Sequence, residues 1–397
     1  MSKRKTPILR FKGFNNAWEQ RKLGDIAKIV GGGTPSTKNS QYWNGNINWY
    51  SPTEIGKNAF VNESKKKITK AGLQHSSAKL LPKNKTILFT SRANIGDLAI
   101  MTSDGATNQG FQSWVIDQLK IDIYFLYSLG NILKNQAIKL AYGSTFLEIS
   151  NKNVKNLQLK IPNIQEQKKI GSLFKIIDEL LTLQERKYEE LKLLKKALMQ
   201  NMFANKSLYP KLRFKGFTDK WKQGKLNSIA SLLNGRAYKR NELLNSGKYP
   251  VLRVGNFYTN DKWYFSNLEL KTNKYAIKGD LLYTWSATFG PHIWTGKKVI
   301  YHYHIWKIIL KNNVDKFFVY EFLKEDRDQL LRNTNGSTMI HITKSNMENK
   351  YISLPNKKGQ KKIGNFFKKF DNLIIAQNKK YNELKFIKKF LLQNMFI

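Results

Sequence analysis

IPNIQEQKKIGSLFKIIDELLTLQERKYEELKLLKKALMQNMF, residues 161–203, returns at residues 354–396 as LPNKKGQKKIGNFFKKFDNLIIAQNKKYNELKFIKKFLLQNMF. Each run follows a helix-breaking proline, Pro162 or Pro355. In the first, apolar residues fall at Ile170, Phe174, Ile177, Leu181, Tyr188, Leu191, Leu198 and Met202. In the second they fall at Ile363, Phe367, Phe370, Ile374, Tyr381, Leu384, Leu391 and Met395. Alternating spacings of three and four predict a coiled-coil seam, and Gln184 and Gln377 share one seam register, where a polar residue fixes alignment. Helices of about 35 residues are roughly 50 Å long. Two near-identical helices in one chain pair most simply with each other, antiparallel, which relates the two halves by a pseudo-twofold axis.

Outward from these helices the duplication continues. The match extends back to Gly143 and Gly336, each opening a Gly-Ser-Thr, and LRFKGF occurs at Leu9–Phe14 and again at Leu212–Phe217. Between the matched blocks, at residues 36–141 and 239–334, the copies diverge almost completely. Constant ends around variable middles point to two parts built alike that must differ in one task. The Trp, Tyr, Ile and Val content of the middles predicts folded, sheet-containing domains. The expected plan is α/β: a mixed domain at 1–160, a helix at 161–204, a linker at 205–210, a second mixed domain at 211–353 and a second helix at 354–397.

The chain has 397 residues, 41% hydrophobic and 13% aromatic, and a formal charge of +41 from 69 Lys plus Arg against 28 Asp plus Glu. This composition excludes a disordered chain, and the charge favours a polyanion. No stretch approaches the roughly 18 apolar residues of a spanning helix, and the N-terminus lacks a signal peptide's apolar core. No membrane partner and a cytoplasmic location are expected. There is no Cys, so neither disulfides nor thiolate chemistry is available. Double-stranded DNA is the expected partner. Two dissimilar modules on a pseudo-twofold protein would read an asymmetric, interrupted sequence.

GGGTPSTKNSQYWNGNINWYSPTEI, LFTSRANIGDLAI, the paired Gly-Ser-Thr and the IPNIQEQKKIGSLF helix entry together resemble the specificity subunit of type I restriction-modification systems, over essentially the whole chain. The resemblance implies two target-recognition domains held apart by the conserved helices. It implies two methyltransferase subunits and two ATP-dependent translocating endonuclease subunits as partners, which would carry S-adenosylmethionine, ATP and Mg. It also implies that the coiled coil is a ruler and docking surface. The second copy departs from the pattern: Gly359-Gln360 replaces Glu166-Gln167, so an acidic contact is expected on one side only.

Chemistry of its own is not expected. GGGTPSTK, Gly31 to Lys38, lacks the Gly-Lys-Ser/Thr end of a phosphate-binding loop. Neither an Asn/Asp-Pro-Pro-aromatic loop nor a Gly-rich cofactor turn occurs, and no acidic cluster suggests magnesium-dependent cleavage. His302 and His304 in YHYHIW are read as alternating along a strand, without the further ligands a metal needs. Lys65-Lys66-Lys67 is read as a basic face.

Arg reads guanine and Asn or Gln reads adenine through paired hydrogen bonds. Such residues beside Gly or aromatics in the variable blocks are therefore the candidates for DNA contact. In the first block they are Lys38, Tyr42, Trp43, Ser91, Arg92, Asn94, Asn108, Gln109 and Gln112. In the second they are Arg236, Tyr238, Lys239, Arg240, Arg253, Asn256, Trp285, His302, Tyr303 and His304.

Overall fold

The computed structural model describes residues 6–92, 94–143, 147–204, 208–258, 260–286, 288–333 and 342–397. The second Gly-Ser-Thr, the Ser and Thr of the first, and residues 205–207 of the expected linker lie outside them. Among the described residues no helix is long and apolar enough to cross a membrane. The chain forms two compact units that do not follow chain order: Met1–Glu185 with Lys379–Ile397, and Arg186–Asn378. Both divisions fall inside long helices. Ile164–Met202 is one helix of 39 residues, and Lys357–Asn394 is one of 38. An isolated helix is marginal in water, so each end takes its stability from the core that it enters.

In the first unit a five-stranded sheet has the order Ala27–Gly31, Gln112–Ile116, Thr86–Phe89, Leu98–Met101, Phe60–Val61. Its centre is Trp114, opposite Ile29 and Ile87 and stacked on Phe89 at 4.9 Å. A three-stranded sheet, Lys66–Ile68, Trp43–Tyr50 and Gly105–Thr107, includes one parallel pair. Glu19–Lys22 pairs with Gln158–Ile161 and closes the domain beside the helix entry.

The second unit repeats the core of this topology in spite of its different sequence, with two four-stranded sheets in place of one of five and one of three strands. One sheet runs Ala230–Asn234, Ile305–Leu310, Leu281–Thr284, Gly290–Ile293. The other runs Tyr264–Ser266, Tyr249–Leu252, Val299–Tyr301, Tyr275–Ala276, again with one parallel pair, and Lys222–Lys225 closes on Tyr351–Leu354. The middles kept the pattern of buried β-branched and aromatic positions and changed what stands between them.

The constant ends meet the helices in the same way in both units. In the first, Phe396 packs among Phe125, Phe174 and Trp18 at 5.5, 5.5 and 6.3 Å. In the second, Phe203 packs among Phe318, Phe367 and Phe322 at 5.3, 5.8 and 6.3 Å. The Leu9 N–H donates to the Asn394 carbonyl, and the Leu212 N–H to the Asn201 carbonyl, both at 2.9 Å. Each LRFKGF thus satisfies a terminal helix carbonyl that would otherwise lack a partner. Gly13 and Gly216, with φ of +94° and +86°, allow the turn that brings it there.

Within each unit the two helix segments run in opposite directions. In the first, Asp178 pairs with Lys388 at 2.5 Å and Glu185 bonds Tyr381, seven residues on along one helix and seven back along the other. In the second, Lys195 pairs with Asp371, also at 2.5 Å. The sixteen positions read as seam, from Ile170 to Leu198 and from Ile363 to Leu391, are all buried or half-buried, among mostly exposed neighbours. The seam reading passed over Lys195 and Lys388 because they are charged, yet both stand in the same register and are drawn in by their aspartates.

The expected acidic contact at Glu166 is an internal one. Glu166 is fully buried and holds Arg10 through both carboxylate oxygens, at 2.7 and 2.8 Å. A free Arg10 there would be a desolvated charge, so the acid is consumed inside the fold. Arg213, in the second copy, donates instead to the Thr218 carbonyl and lies over Tyr209.

Candidate nucleic-acid interface

Four loops meet in each unit, around residues 107–110 in the first and 301–304 in the second. In the first unit the Gly33 N–H donates to the Thr107 carbonyl, Asn108 to Tyr50 and Ser91 to Gly110, at 2.8, 3.1 and 2.8 Å. In the second unit the Arg236 N–H donates to Tyr301, His302 to Leu252 and Trp285 to His304, at 3.0, 2.9 and 3.1 Å. The hydrogen-bond frame is shared, and most of the candidate residues hang from it: Ser91, Arg92, Asn108 and Gln109 in one unit, Arg236, Arg253, Trp285, His302, Tyr303 and His304 in the other. Gly32 and Gly235 allow the close approach, since a Cβ on either would meet the Asn108 or His302 carbonyl oxygen at 1.9 or 2.2 Å.

The side chains on these frames differ in chemistry. In the first unit Gln109 and Asn94 are exposed, Gln109 accepts from the Thr34 hydroxyl, and Asn108 caps Gly110. Arg92 is exposed and paired with Glu148 at 2.8 Å, while Ser91 is buried. In the second unit rings replace the amides. His302, Tyr303 and His304 lie within 4.9 Å of one another, and Trp285 lies 4.8 Å from His304. Arg236 is clamped by Glu242 at 2.7 and 3.0 Å, and this pairing holds the Glu242 carboxyl below its usual range. Arg253 lies over Tyr264 at 4.6 Å without a carboxylate partner among the described residues. Lys38, Lys239 and Arg240 are exposed, and Tyr238 is half-buried beneath Arg236.

Several candidates are engaged within the fold. Trp43 packs edge-on against Trp49 and donates to the Ser36 carbonyl, and Tyr42 stacks on His75. Gln112 accepts from Asn151, fastening the domain's end to the strand Ala27–Gly31, and Asn256 donates twice within its own turn. The YHYHIW reading is corrected. His302 makes a lone bridge to Arg236, and Tyr303–His304 form a turn, because here the chain leaves one sheet and reverses into the strand Ile305–Leu310 of the other. Lys66 and Lys67 belong to a strand, with Lys67 paired to Glu63 and Lys66 over Trp43. Among the described residues no cluster of three His, Asp or Glu is placed to hold a metal ion.

Sequence reasoning did not find Thr34, which orients Gln109, or Tyr258, exposed and bonded to His292 at 3.1 Å. Thr34 follows the three glycines of the first frame, so the close backbone approach that they allow was the available signal.

Two repeated mixed α/β units, each with a divergent loop cluster on a constant frame, define a duplicated recognition protein. Residues 15–193 and 218–385 match the type I restriction modification DNA specificity domain, and the chain belongs to that family of specificity subunits. The MjaIX specificity subunit of Methanocaldococcus jannaschii is 25% identical over 95% of this chain and 92% of its own length. The EcoR124I/EcoR124II specificity subunit of Escherichia coli is 31% identical over 44% of this chain and 43% of its own. The fold is that of the type I restriction-modification S subunit from M. genitalium, with a TM-score of 0.65 and 16% identity over 99% of both chains. It is shared by a chain from a structure addressing complex assembly and conformational transition of the type I R-M system, with a TM-score of 0.57 and 17% identity over 96% of this chain and 98% of that one.

Proposed function

We propose that this chain reads an asymmetric, bipartite DNA sequence, one half-site with each loop cluster, and holds it for partner subunits that carry the catalysis. The observation behind this is the pair of equivalent frames bearing unlike side chains, amides in one and rings in the other. A purely structural duplication would have no reason to keep the ends alike and let the middles that carry these frames diverge. The two long helices act as an antiparallel coiled-coil spacer that fixes the gap between half-sites, on the domain plan 1–160, 161–204, 205–210, 211–353 and 354–397.

The helices also dock the partners. Phe386 and Phe390 in the first unit and Leu193 and Ile375 in the second are 71, 50, 65 and 66% exposed, and large apolar side chains in such number on a helix surface fit protein contact. Two methyltransferase and two translocase subunits are the proposed partners, bringing S-adenosylmethionine, ATP and Mg.

The test is to co-express the chain with a type I methyltransferase subunit and map methylated adenines across the host genome. An asymmetric motif with a fixed gap, absent without this chain, supports the reading. A soluble, associated pair that methylates without a motif overturns it in favour of a non-specific basic scaffold.

A further inference from the structure

Tyr303 stands at the tip of the second frame with its backbone committed on every side. Its N–H donates to Arg236, its carbonyl accepts the Trp285 indole N–H at 2.9 Å, and the Ile305 N–H closes the turn onto His302. With the peptide held inward, the side chain is turned out and is 40% exposed. Its hydroxyl has no partner among the described residues. His302 and His304 lie 4.4 and 3.9 Å from the ring, tilted by 45° and 46°, and 4.9 Å from each other, so both support it from one side. Burial beside His304 and Arg253 holds His302 down to about 4, so that imidazole is uncharged at neutral pH. Behind the turn Trp285 stacks on Trp306 and Trp306 on Tyr283, at 5.8 and 6.0 Å, a rigid backing that no loop side chain could supply alone. The equivalent tip in the first unit carries Asn108 and Gln109 and no ring.

We propose that Tyr303 is a wedge that stacks on a base of the second half-site and opens a base step there, so that the second unit reads deformability while the first reads base edges. The inference rests on the DNA-reading function proposed above. Apolar and aromatic wedges kink duplexes where stacking is weakest, at pyrimidine–purine steps. The second half-site is therefore expected to contain such a step, and the first has no need of one.

The experiment uses the complex with the methyltransferase subunit and duplexes of the motif found by methylation mapping, with 2-aminopurine placed at successive positions of each half-site. Wild type raises 2-aminopurine fluorescence at one step of the second half-site only. Tyr303→Ala abolishes that signal and weakens binding by roughly 5- to 150-fold, the span for losing one stacked base. Tyr303→Phe keeps both, because stacking needs the ring and not the hydroxyl. Gln109→Ala leaves the signal in place while relaxing the other half-site. Unchanged thermal unfolding of the variants shows that the turn is intact, as an exposed tip allows.

Tyr303→Ala that binds within twofold and keeps the signal overturns the wedge, and so does Tyr303→Phe failing as badly as Tyr303→Ala, which would make the hydroxyl the reader. A wild-type complex without any motif sinks the DNA-reading function itself, and the wedge with it.

Discussion

The two places where a helix end enters a domain are made by the same pair of residues and carry different electrostatics. In the first unit Asp178 is held by Lys388 and by the Tyr124 hydroxyl at 2.8 Å. In the second unit Phe317 stands where Tyr124 would be and has no hydroxyl. Lys324 takes its place on Asp371 at 3.1 Å, and Glu321 joins Lys195 at 2.9 Å to balance the added charge. One lost hydroxyl has been replaced by a four-charge cluster. The Lys–Asp pair was kept because it sets where the helices meet, whereas the groups around it needed only to satisfy it.

Removing the lysine from each junction should give the largest contrast. Lys195, with 8% of its side chain exposed, faces Glu321 and Asp371, so Lys195→Ala leaves a buried and a half-buried acid to share Lys324. The expected loss is about 3–5 kcal/mol, the range for stripping one partner from a buried ion pair. Lys388 is 28% exposed and Asp178 keeps its tyrosine, so Lys388→Ala should cost about 1.5 kcal/mol. Urea denaturation of the two variants measures the difference. Equal losses would mean that the extra charges in the second unit contribute nothing.

The Arg10–Glu166 clamp sharpens the same contrast. Glu166→Ala should destabilise by about 2–3 kcal/mol, the worth of a charged hydrogen bond whose partner stays buried. Arg213→Ala, losing only a carbonyl and a ring contact, should stay within about 1 kcal/mol. If thermal unfolding finds the two alike, the clamp is decoration and the Gly359 copy lacks nothing.

A smaller effect belongs to the second unit's imidazoles. Burial beside Arg327 holds His292 down to about 4 from the usual 6.5, with Tyr258 and Thr284 on its ring, and His302 is lowered as far by burial, His304 and Arg253. Unfolded imidazoles gain a proton near pH 6.5 and the folded ones only near 4. Their contribution is therefore full above pH 6.5 and is lost as the pH falls through that window. Protection against hydrogen exchange in the strands around Leu281–Thr284 and Gly290–Ile293, taken relative to the intrinsic rate at each pH, should fall across it, and His292→Gln should flatten the change. No difference between wild type and variant would place that imidazole in solvent.

The sequence declared its repeat and its long helices because those features are periodic and written twice. It hid the shared topology of the middles, whose strands agree only in where apolar residues fall, and it hid the frames, which are backbone hydrogen bonds that any side chain can make. Candidates chosen by residue type were therefore a mixture. Asn108, Tyr303 and Arg253 stand on the frames, while Trp43, Gln112 and Asn256 have the same chemistry but are engaged by neighbours far along the chain or within their own turn. Lys195 and Lys388 escaped because a charge in a seam reads as a break until its aspartate, far along the chain in both cases, is placed beside it.

The smallest prediction tests where the two units should not differ at all. Gly13 and Gly216 hold φ of +94° and +86° in the two LRFKGF turns, and a Cβ on either would meet nothing within 4 Å. Alanine at each position thus meets no steric clash with a neighbour, and its cost is the left-handed backbone alone, about 1–2 kcal/mol. The cost should be the same for both, since each turn delivers the same N–H to the same helix carbonyl. Urea midpoints for Gly13→Ala and Gly216→Ala that agree would show the two LRFKGF turns to be equivalent parts. A Gly216→Ala loss well above the other would mean that the second LRFKGF segment, which lacks the Arg10–Glu166 clamp beside it, depends more heavily on its turn. The divergence between the copies would then reach from the reading loops into the constant ends themselves.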